Sequence, residues 1–340
     1  MIKLTEYTKG GGCGCKIAPE ALSEILSGHL TNDEFRLIVG NSTGDDAAVL
    51  DLLNGSCLLS TTDFFTPIVD SPFDFGRIAA ANSISDVYSM GGRPVMALSI
   101  LAWPTEKLST EIASEVIRGA VQVCKEAGIA IGGGHSIESP EPIFGLSVNG
   151  VLNYHQLKRN NTAKAGDLLF LTKPIGTGIL SSAMKRNILS EEHLQACVES
   201  MATLNFMGEF LGSVEGVHAM TDVTGFGLIG HLTEMTDHGR LTAEVQYASI
   251  PLLEGTKEHA ANMIYPDNTM RNWKAYGEKV NGITGESLLT LCDPQTNGGL
   301  LFALDPSAVD EVKALFQREN VSLYEIGSFA ENRGCCVDIK

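Results

Sequence analysis

The dipeptide Asn54-Gly55, placed between two apolar runs, constrains the fold of this chain more than any other local feature. The runs span residues 47–53 and 57–62, and Asn-Gly between such runs predicts a β-hairpin with a two-residue turn. In that register Asp46 faces Asp63, with Cβ atoms roughly 5 Å apart. Two carboxylates so placed repel each other unless a cation lies between them or one is protonated, which favours a Mg²⁺ site. A longer turn would break this register and leave two solvated aspartates at strand ends.

Strand and helix signals alternate around this hairpin from residue 46 to about residue 150. The periodicity predicts, in order, a helix over 74–90, a buried strand over 93–103, an amphipathic helix over 109–127, and strands over 129–131 and 143–152. The second half predicts further strands at 168–172, 217–221 and 299–304. A length of 340 residues suggests roughly two domains. We therefore expect an α+β protein whose two domains are sandwich-like layers of mixed sheet and helix.

The polar stretch 153–166 is the best candidate for a domain boundary. Residues 1–18 are polar and glycine-rich without periodicity, which predicts a mobile segment. A short helix with proline in its first turn is expected over 19–30. The expected units are thus a mobile segment over 1–18, an N-terminal domain over 19–155 and a C-terminal α+β domain over 165–340.

Asn82 and Asp86 lie four residues apart on the helix predicted over 74–90, so they share one face. The rest of that face is apolar, and a carboxylate and an amide on such a face need partners. We favour a functional role over an exposed polar stripe, because the helix is apolar overall.

Two glycine clusters follow predicted strands. Gly132-Gly133-Gly134 precedes His135 and Ser136, and a strand ending in three glycines can form either an anion-binding nest of N–H groups or a plain tight turn. The run 225–230 contains G-x-G-x-x-G, which by itself is weak evidence for dinucleotide binding. Asp222, at the end of the preceding strand, is a better candidate as ligand of a phosphate-bound metal ion.

The segment Gly10-Gly11-Gly12-Cys13-Gly14-Cys15-Lys16 combines a flexible backbone with thiols and a cation. Lys16 favours the thiolate of Cys13, which is the reactive form. Covalent or soft-ligand chemistry, a Cys-x-Cys metal site completed by Cys335-Cys336, and an inactive tail are the three interpretations that spacing leaves open.

Composition excludes some classes of function. The net charge of −17 disfavours binding to nucleic acids and to anionic membranes, and an acidic protein that handles phosphate usually does so through metal cations. The most apolar run, 95–103, is half the length of a membrane span, and the first 15 residues lack a signal-peptide pattern. We expect a cytoplasmic protein that interacts with neither membrane nor nucleic acid, whose eight sparse cysteines stay reduced.

Over essentially its whole length the chain resembles the selenophosphate synthetase (selenide, water dikinase) family. The motifs that carry the resemblance are GGGCGCK at 10–16, GDDAAV at 44–49, STTDFF at 60–65, FDFGRIAAANSISDVYSMGG at 73–92, GGHSI at 133–137, EPIFGL at 141–146, MTDVTGFGLIGH at 220–231 and CDPQTNGGLL at 292–301. The wider superfamily includes aminoimidazole ribonucleotide synthetase and thiamine-phosphate kinase, which share the acidic ATP site.

The resemblance implies that ATP, selenide and water give selenophosphate, AMP and phosphate, for the synthesis of selenocysteine and selenouridine. It implies Mg²⁺, with K⁺ as a candidate further ion, and a homodimer that pairs through the N-terminal sheets. A selenium-delivery protein is a candidate partner. Cys13 corresponds to the catalytic Cys or selenocysteine and Lys16 to the essential lysine, which also contacts the nucleotide.

The remaining site residues follow from the same resemblance. The acidic residues that hold Mg²⁺ and the ATP phosphates are Asp46, Asp63, Asp86 and Asp222, with Asp46, Asp86 and Asp222 as metal ligands. A loop with Thr43, Gly44 and Asp45 corresponds to an ATP-contacting segment. Gly134, His135 and Ser136 correspond to a segment that contacts ATP bound to the partner subunit.

Three other functions compete with this hypothesis. A related kinase or ligase could act on a purine or thiamine intermediate, although the Cys–Lys segment argues against it. A metal-handling or thiol-relay protein built on Cys13 and Cys15 would leave the four aspartates without a role. A dinucleotide-binding oxidoreductase depends on one weak motif.

Overall fold

Two β-sheets, each with its own helices, make up the described part of the chain. In this computed structural model that part is residues 2–8, 10–12, 17, 21, 24–25, 36–40 and 44–340. Most of the helix expected over 19–30 lies outside the described residues, as do residues 1, 9, 13–16 and 18 of the segment expected over 1–18.

The first sheet has six strands in the order β1-β2-β3-β6-β4-β5. All neighbours are antiparallel except the parallel pair β4 and β5, so the sheet is mixed. The strands are β1 (Leu37–Val39), β2 (Ala48–Asp51), β3 (Ser56–Phe65), β4 (Arg93–Trp103), β5 (Ile131–Glu138) and β6 (Ile143–Asn153).

Helices α1 (Pro72–Ser89) and α2 (Thr110–Glu126) cover one face of this sheet. The side chain of Ser71 accepts a hydrogen bond from the Asp74 N–H and so caps α1, one turn before the predicted start. The two helices approach closely at glycine, since a Cβ added to Gly76 would lie 1.9 Å from the carbonyl oxygen of Val116. The predicted helices over 74–90 and 109–127 are therefore confirmed with small shifts at their ends.

The opposite face of the first sheet is exposed among the described residues. Phe64 is 52% exposed and Ile137 is 57% exposed, and Met96 and Leu98 of β4 share this exposure. The prediction of a buried strand over 93–103 was right in its bounds and wrong in its burial, because β4 is covered on one face only.

The glycines of the predicted nest lie inside a strand. Gly132, Gly133 and Gly134 belong to β5, which extends to Glu138 at the edge of the sheet and is exposed along most of its length. The strand does not turn away at the glycines, because pairing with β4 resumes after a register shift there, with Ser99 opposite Gly134.

The hairpin between β2 and β3 forms, but its register differs by one residue from the predicted one. Ala48 pairs with Ser60 and Asp51 with Cys57, so that three residues, rather than two, form the turn after Leu52. The Asp51 carboxylate accepts a hydrogen bond from the Leu53 N–H at 2.7 Å. The side chain of Asn54 accepts from the Ser56 N–H at 3.1 Å. These side-chain bonds favour the longer turn, with Leu53 and Gly55 at positive φ.

The second sheet is also mixed and has seven strands in the order β10-β13-β9-β12-β7-β11-β8. Its strands are β7 (Leu168–Leu171), β8 (Val217–Asp222), β9 (Leu241–Val245), β10 (Val280–Asn281), β11 (Leu300–Leu304), β12 (Tyr324–Glu331) and β13 (Val337–Ile339). The strands predicted at 168–172, 217–221 and 299–304 are confirmed.

Helices cover both faces of the second sheet, and two apolar clusters lie against its two sides. One contains Leu171 and Leu301, and the other contains Phe170 and Phe302 from the same strands. The helices of this half are α3 (Thr177–Lys185), α4 (Glu191–Ala202), α5 (Met207–Gly212), α6 (Gly227–Met235), α7 (Thr256–Ala261), α8 (Asp267–Tyr276), α9 (Gly285–Leu291) and α10 (Val309–Arg318). The α+β class with two mixed sheets is confirmed.

Across the described part of the chain, the helices are too short or too polar to cross a membrane.

Candidate functional site

Three of the predicted acidic residues line one small cavity between the two sheets. It has a volume of about 230 Å³. Asp46 precedes β2, Asp63 lies in β3 and Asp86 lies in α1. The other lining residues are Gly44, Asp45, Thr61, Thr62, Thr224, Phe226, His231 and Glu234. Residues far apart in sequence thus place their carboxylates at one point, as the sequence analysis predicted.

Helix α1 and strand β3 orient two of these carboxylates directly. Asn82 donates a hydrogen bond to Oδ2 of Asp63 at 2.6 Å. Thr61 donates to Oδ2 of Asp86 at 2.5 Å. Asn82 and Asp86 therefore face the same strand, as their four-residue spacing indicates, and the apolar remainder of α1 fixes the helix against the sheet.

Asp222 is the fourth carboxylate and comes from the end of β8 in the second sheet. It is buried and accepts a hydrogen bond from Ser85 of α1. Thr221, its neighbour in the chain, donates to Oδ1 of Asp46 at 3.0 Å. The acidic cluster thus depends on contacts between the two halves of the chain.

Two buried amides of the second half extend this connection. Asn205 donates to the hydroxyl of Ser85 at 2.8 Å and to the carbonyl oxygen of Gly298 at 2.8 Å. The backbone N–H of Asn297 donates to Oδ1 of Asn82 at 2.9 Å, the same side chain that binds Asp63. Sequence reasoning missed both residues. Asn297 lies in the motif CDPQTNGGLL at 292–301, which was the available signal, whereas nothing in the local pattern of Asn205 indicates a contact with α1.

Lys173 supports the loop behind the acidic cluster. It is buried, and its ammonium donates to the carbonyl oxygens of Asn297 at 3.0 Å and Thr203 at 2.7 Å. Burial lowers the pKa of this lysine to about 7, although the charge of Asp222 acts in the opposite direction. The loop that carries Asn297 is therefore held by a partly desolvated cation.

The carboxylates destabilise one another's charged forms. Burial raises the pKa of Asp46 well above its ordinary value, and the charge of Asp222 raises it further. Burial also raises the pKa of Asp86, with additional contributions from Asp63, Asp222 and Asp46. Such a cluster ionises fully only when cations neutralise it, so its electrostatics favour binding of divalent metal ions.

The donor set fits Mg²⁺. Oδ2 of Asp46 is buried and receives no hydrogen bond from the described residues, although a buried carboxylate oxygen normally has a partner. Carboxylate oxygens are the ligands that Mg²⁺ prefers, and Mg²⁺ commonly bridges a few carboxylates to the phosphates of a bound substrate. The cavity can thus hold hard cations and, through them, a polyphosphate.

The loop before β2 contributes to the same cavity. Asp45 accepts a hydrogen bond from the Asn160 N–H at 2.9 Å. The side chain of Asn160 donates to the carbonyl oxygen of Gly44 at 3.2 Å. Both Gly44 and Asp45 line the cavity, whereas Thr43 lies outside the described residues.

One predicted group lies away from this cavity, and a second group is not described. Gly134, His135 and Ser136 lie on the exposed edge strand β5 and are not among its lining residues. Cys13 and Lys16 lie outside the described residues.

Sequence reasoning also missed the wall that the second half contributes. His231 of α6 accepts a hydrogen bond from the Thr224 N–H at 3.0 Å, which fixes the glycine-containing turn after β8. Phe226 and Glu234 complete this wall. The motif MTDVTGFGLIGH at 220–231 contains most of these residues and was the available signal, although it was interpreted only through Asp222.

Comparison with known proteins identifies the family of this chain. Residues 44–152 match the family model described as AIR synthase related protein, N-terminal domain, and residues 164–339 match the model for the C-terminal domain. The chain is 50% identical over 336 residues to the selenide, water dikinase of Cronobacter sakazakii, covering 98% of this chain and 96% of that protein. It is 51% identical over 336 residues to the selenide, water dikinase of Escherichia coli strain K12, with the same coverage of both.

Solved structures of lower identity share the fold. The crystal structure of thiamine-monophosphate kinase from Stenotrophomonas maltophilia superposes with a TM-score of 0.67 at 19% identity. The superposition covers 91% of this chain and 92% of that one. At this identity the likeness supports the architecture alone.

Proposed function

The chain belongs to the selenide, water dikinase family, and from that premise we propose that it converts ATP, selenide and water into selenophosphate, AMP and phosphate. The observation that carries the proposal is the convergence of Asp46, Asp63, Asp86 and Asp222 on one buried cluster between the two sheets. An acidic cluster of this kind suits a reaction on a metal-bound triphosphate.

Asp46, Asp86 and Asp222 are the metal ligands in this proposal, and Asp63 lies beside them. Bound Mg²⁺ would supply charge neutralisation of the phosphates and Lewis-acid polarisation of the transferring phosphoryl group. The protein's own contribution is placement. Hydrogen bonds from Asn82 and Thr61 hold Asp63 and Asp86 in fixed orientations before the nucleotide binds.

Gly44 and Asp45 contact the nucleotide in this proposal, together with Thr43 of the same loop. The support is their position on the cavity wall, fixed by Asn160.

Cys13 and Lys16 are the proposed catalytic residues. Their support is the motif GGGCGCK at 10–16 and the position of the described glycines that precede them. The Gly12 N–H donates to the carbonyl oxygen of Thr66 at 3.0 Å, and Gly12 packs against Ile68 and Thr296. Lys16 would stabilise negative charge on the transferring phosphoryl group and contact the nucleotide, and Cys13 would receive selenide, whose softness suits sulfur.

A homodimer completes the proposed site. The uncovered face of the first sheet, with Phe64 and Ile137, ends at the unpaired edge of β5, which carries Gly134, His135 and Ser136. An exposed apolar face beside an open strand edge suits pairing with a second copy of the sheet. We propose that these three residues contact ATP bound to the partner subunit.

Several finer points stay predictions. They are the division of the chain at 1–18, 19–155 and 165–340, a role for K⁺, a selenium-delivery protein as partner, and the use of the product for selenocysteine and selenouridine.

Phosphorus NMR tests the proposed reaction. The protein is incubated anaerobically with ATP, Mg²⁺ and sodium selenide, and we expect a resonance with phosphorus–selenium coupling together with AMP and orthophosphate. Cys13→Ser should abolish the selenium-containing product while the nucleotide still binds. Formation of ADP as the final nucleotide, or a Cys13→Ser variant of full activity, would contradict the proposal.

A further inference from the structure

A second and larger cavity carries positive charge. It has a volume of about 520 Å³ and lies between Gly10–Gly11, the end of α3 and the start of α8. Lys185, Arg186 and Arg271 line it. The chain has 24 lysines and arginines against 41 acidic residues, so three cations on one cavity stand out from the rest of the surface.

The two arginines of this cavity are available to a ligand. Both are exposed, and neither forms an ion pair with a carboxylate of the described residues. Lys185 donates a hydrogen bond to the carbonyl oxygen of Gly10 at 2.8 Å, which ties the N-terminal residues to the cavity wall. One carboxylate, that of Asp267, shares the lining and is exposed. The described lining residues thus include three cations and one carboxylate.

A short series of contacts connects this cavity to the acidic cluster. Thr296 lines the cationic cavity, and the next residue, Asn297, binds Asn82, which in turn binds Asp63. Gly12 is pressed against the same wall, since an added Cβ would lie 2.4 Å from Oγ1 of Thr296. Cys13 follows Gly12 directly in the sequence. The cationic cavity therefore adjoins the described end of the proposed catalytic segment.

We propose that this cationic cavity binds a small anion of the reaction, an inference that rests on the proposed function. Two anions have suitable chemistry, namely hydrogenselenide on its way in and orthophosphate on its way out. An acidic protein repels both, and a cleft lined by two exposed arginines that form no ion pair with the described residues raises the local concentration of an anion and its rate of entry. In the proposed function ATP binds at the acidic cluster instead. The affinity for ATP therefore serves as an internal reference when the cationic cavity is altered.

Steady-state kinetics at low ionic strength test the proposal. Arg186→Gln and Arg271→Gln should each raise the KM for selenide by about three-fold, and the double variant by about ten-fold, with the KM for ATP and kcat unchanged. The effect should shrink as salt is added, because the arginines are exposed. If orthophosphate is the ligand, its product-inhibition constant rises instead and the KM for selenide stays constant.

Two further variants give the matched controls. Asp267→Asn removes the negative charge from the same wall. It should therefore lower the KM for selenide or, if orthophosphate is the ligand, the product-inhibition constant of orthophosphate. Arg318→Gln removes an exposed arginine of α10 that is not among the cavity's lining residues, and it should change neither constant. Unchanged constants for both anions in the double variant, or a rise confined to the KM for ATP, would overturn the proposal.

A binding measurement separates this inference from the proposed function. Calorimetric titration with orthophosphate compares the wild-type protein with the double variant and needs no turnover. Weaker binding by the variant supports an anion site even if no selenophosphate forms, which would refute the proposed reaction alone. Equal binding together with equal KM values for selenide would refute the cavity assignment and leave the reaction intact.

Discussion

The two sheets of this protein differ in how many of their faces are covered. The first sheet has helices on one face, and its other face exposes Phe64, Met96, Leu98 and Ile137. The second sheet is covered on both faces, and all five residues of β11 are buried. An alternating strand can leave one face to a partner, whereas a continuously apolar strand has no free face. The comparison places the candidate interface in the first half and the internal support of the acidic cluster in the second.

A matched pair of phenylalanines provides the strongest test of this difference. Phe302 is fully buried against Phe170 and Phe316, and Phe302→Ala should lower the free energy of unfolding by about 3–5 kcal/mol. Phe64→Ala, on the exposed face, should cost the isolated chain less than about 1 kcal/mol. Chemical denaturation measures both. Similar losses for the two variants at low protein concentration would remove the distinction between the sheets.

The interior of the second half also contains a buried ionisable group, Asp293, whose raised pKa reflects how completely that half excludes water. Burial raises the pKa of Asp293 from its ordinary 3.8 to about 7, despite hydrogen bonds from Gln295 and the Gly178 N–H. The folded state then binds the proton more tightly than the unfolded state, so the stability contributed by protonation falls as pH rises from about 4 to 7.

The Asp293→Asn variant should lack this dependence. The difference in free energy of unfolding between the variant and the wild type should move in the variant's favour across that pH window, by up to about 4 kcal/mol. Denaturation series at several pH values measure it. A difference that is constant with pH would show that Asp293 is ionised throughout.

A substitution in the acidic cluster, where the two halves of the chain meet, should raise the stability of the protein and lower its affinity for nucleotide. Asp46→Asn removes one of the mutually repelling carboxylates, so the metal-free protein should become slightly more stable. The same variant should bind Mg²⁺·ATP about 100-fold more weakly, because it loses a metal ligand. Thermal unfolding and calorimetry measure the two effects. Asp51→Asn, in the hairpin, is the control, and unchanged nucleotide affinity of Asp46→Asn would remove the metal-bridge hypothesis.

The smallest effect is expected at the hairpin of the first sheet. Gly55 has a φ of +86° with open space around an added Cβ. Gly55→Ala should therefore cost only the backbone strain, about 1 kcal/mol. Gly128→Ala, at a φ of +70° and equally open, is a matched comparison after α2. A loss of unfolding free energy well above this value would indicate that the turn makes contacts beyond those of the isolated chain, such as contacts with a second copy.

The acidic site was predictable because its parts carry strong local patterns. Asn82 and Asp86 follow helical spacing, and Asp46 and Asp63 flank a recognisable hairpin. The register of that hairpin was not predictable from the Asn-Gly dipeptide, because Asp51 and Asn54 bind turn N–H groups and favour a longer turn. The four carboxylates converge nonetheless, because two of them do not depend on the hairpin: Asp86 comes from α1 and Asp222 from β8.

The edge strand shows the opposite case. Three consecutive glycines after Ile131 predicted an end to the strand, yet β5 continues to Glu138 because parallel pairing with β4 resumes after a register shift at the glycines. Asn205 and Lys173 carried no recognisable local pattern, and the motif that contains Asn297 did not indicate its partner. Only contacts across the chain connect these residues to the acidic cluster.

Sequence alone determined the α+β class, the main helices and strands, and the identity of the acidic residues, because periodicity and residue chemistry are local properties. Tertiary structure decided which sheet face stays uncovered, how the second half supports Asp63 and Asp222, and where unpaired arginines collect. These features depend on contacts between residues far apart in the chain, which no local pattern encodes.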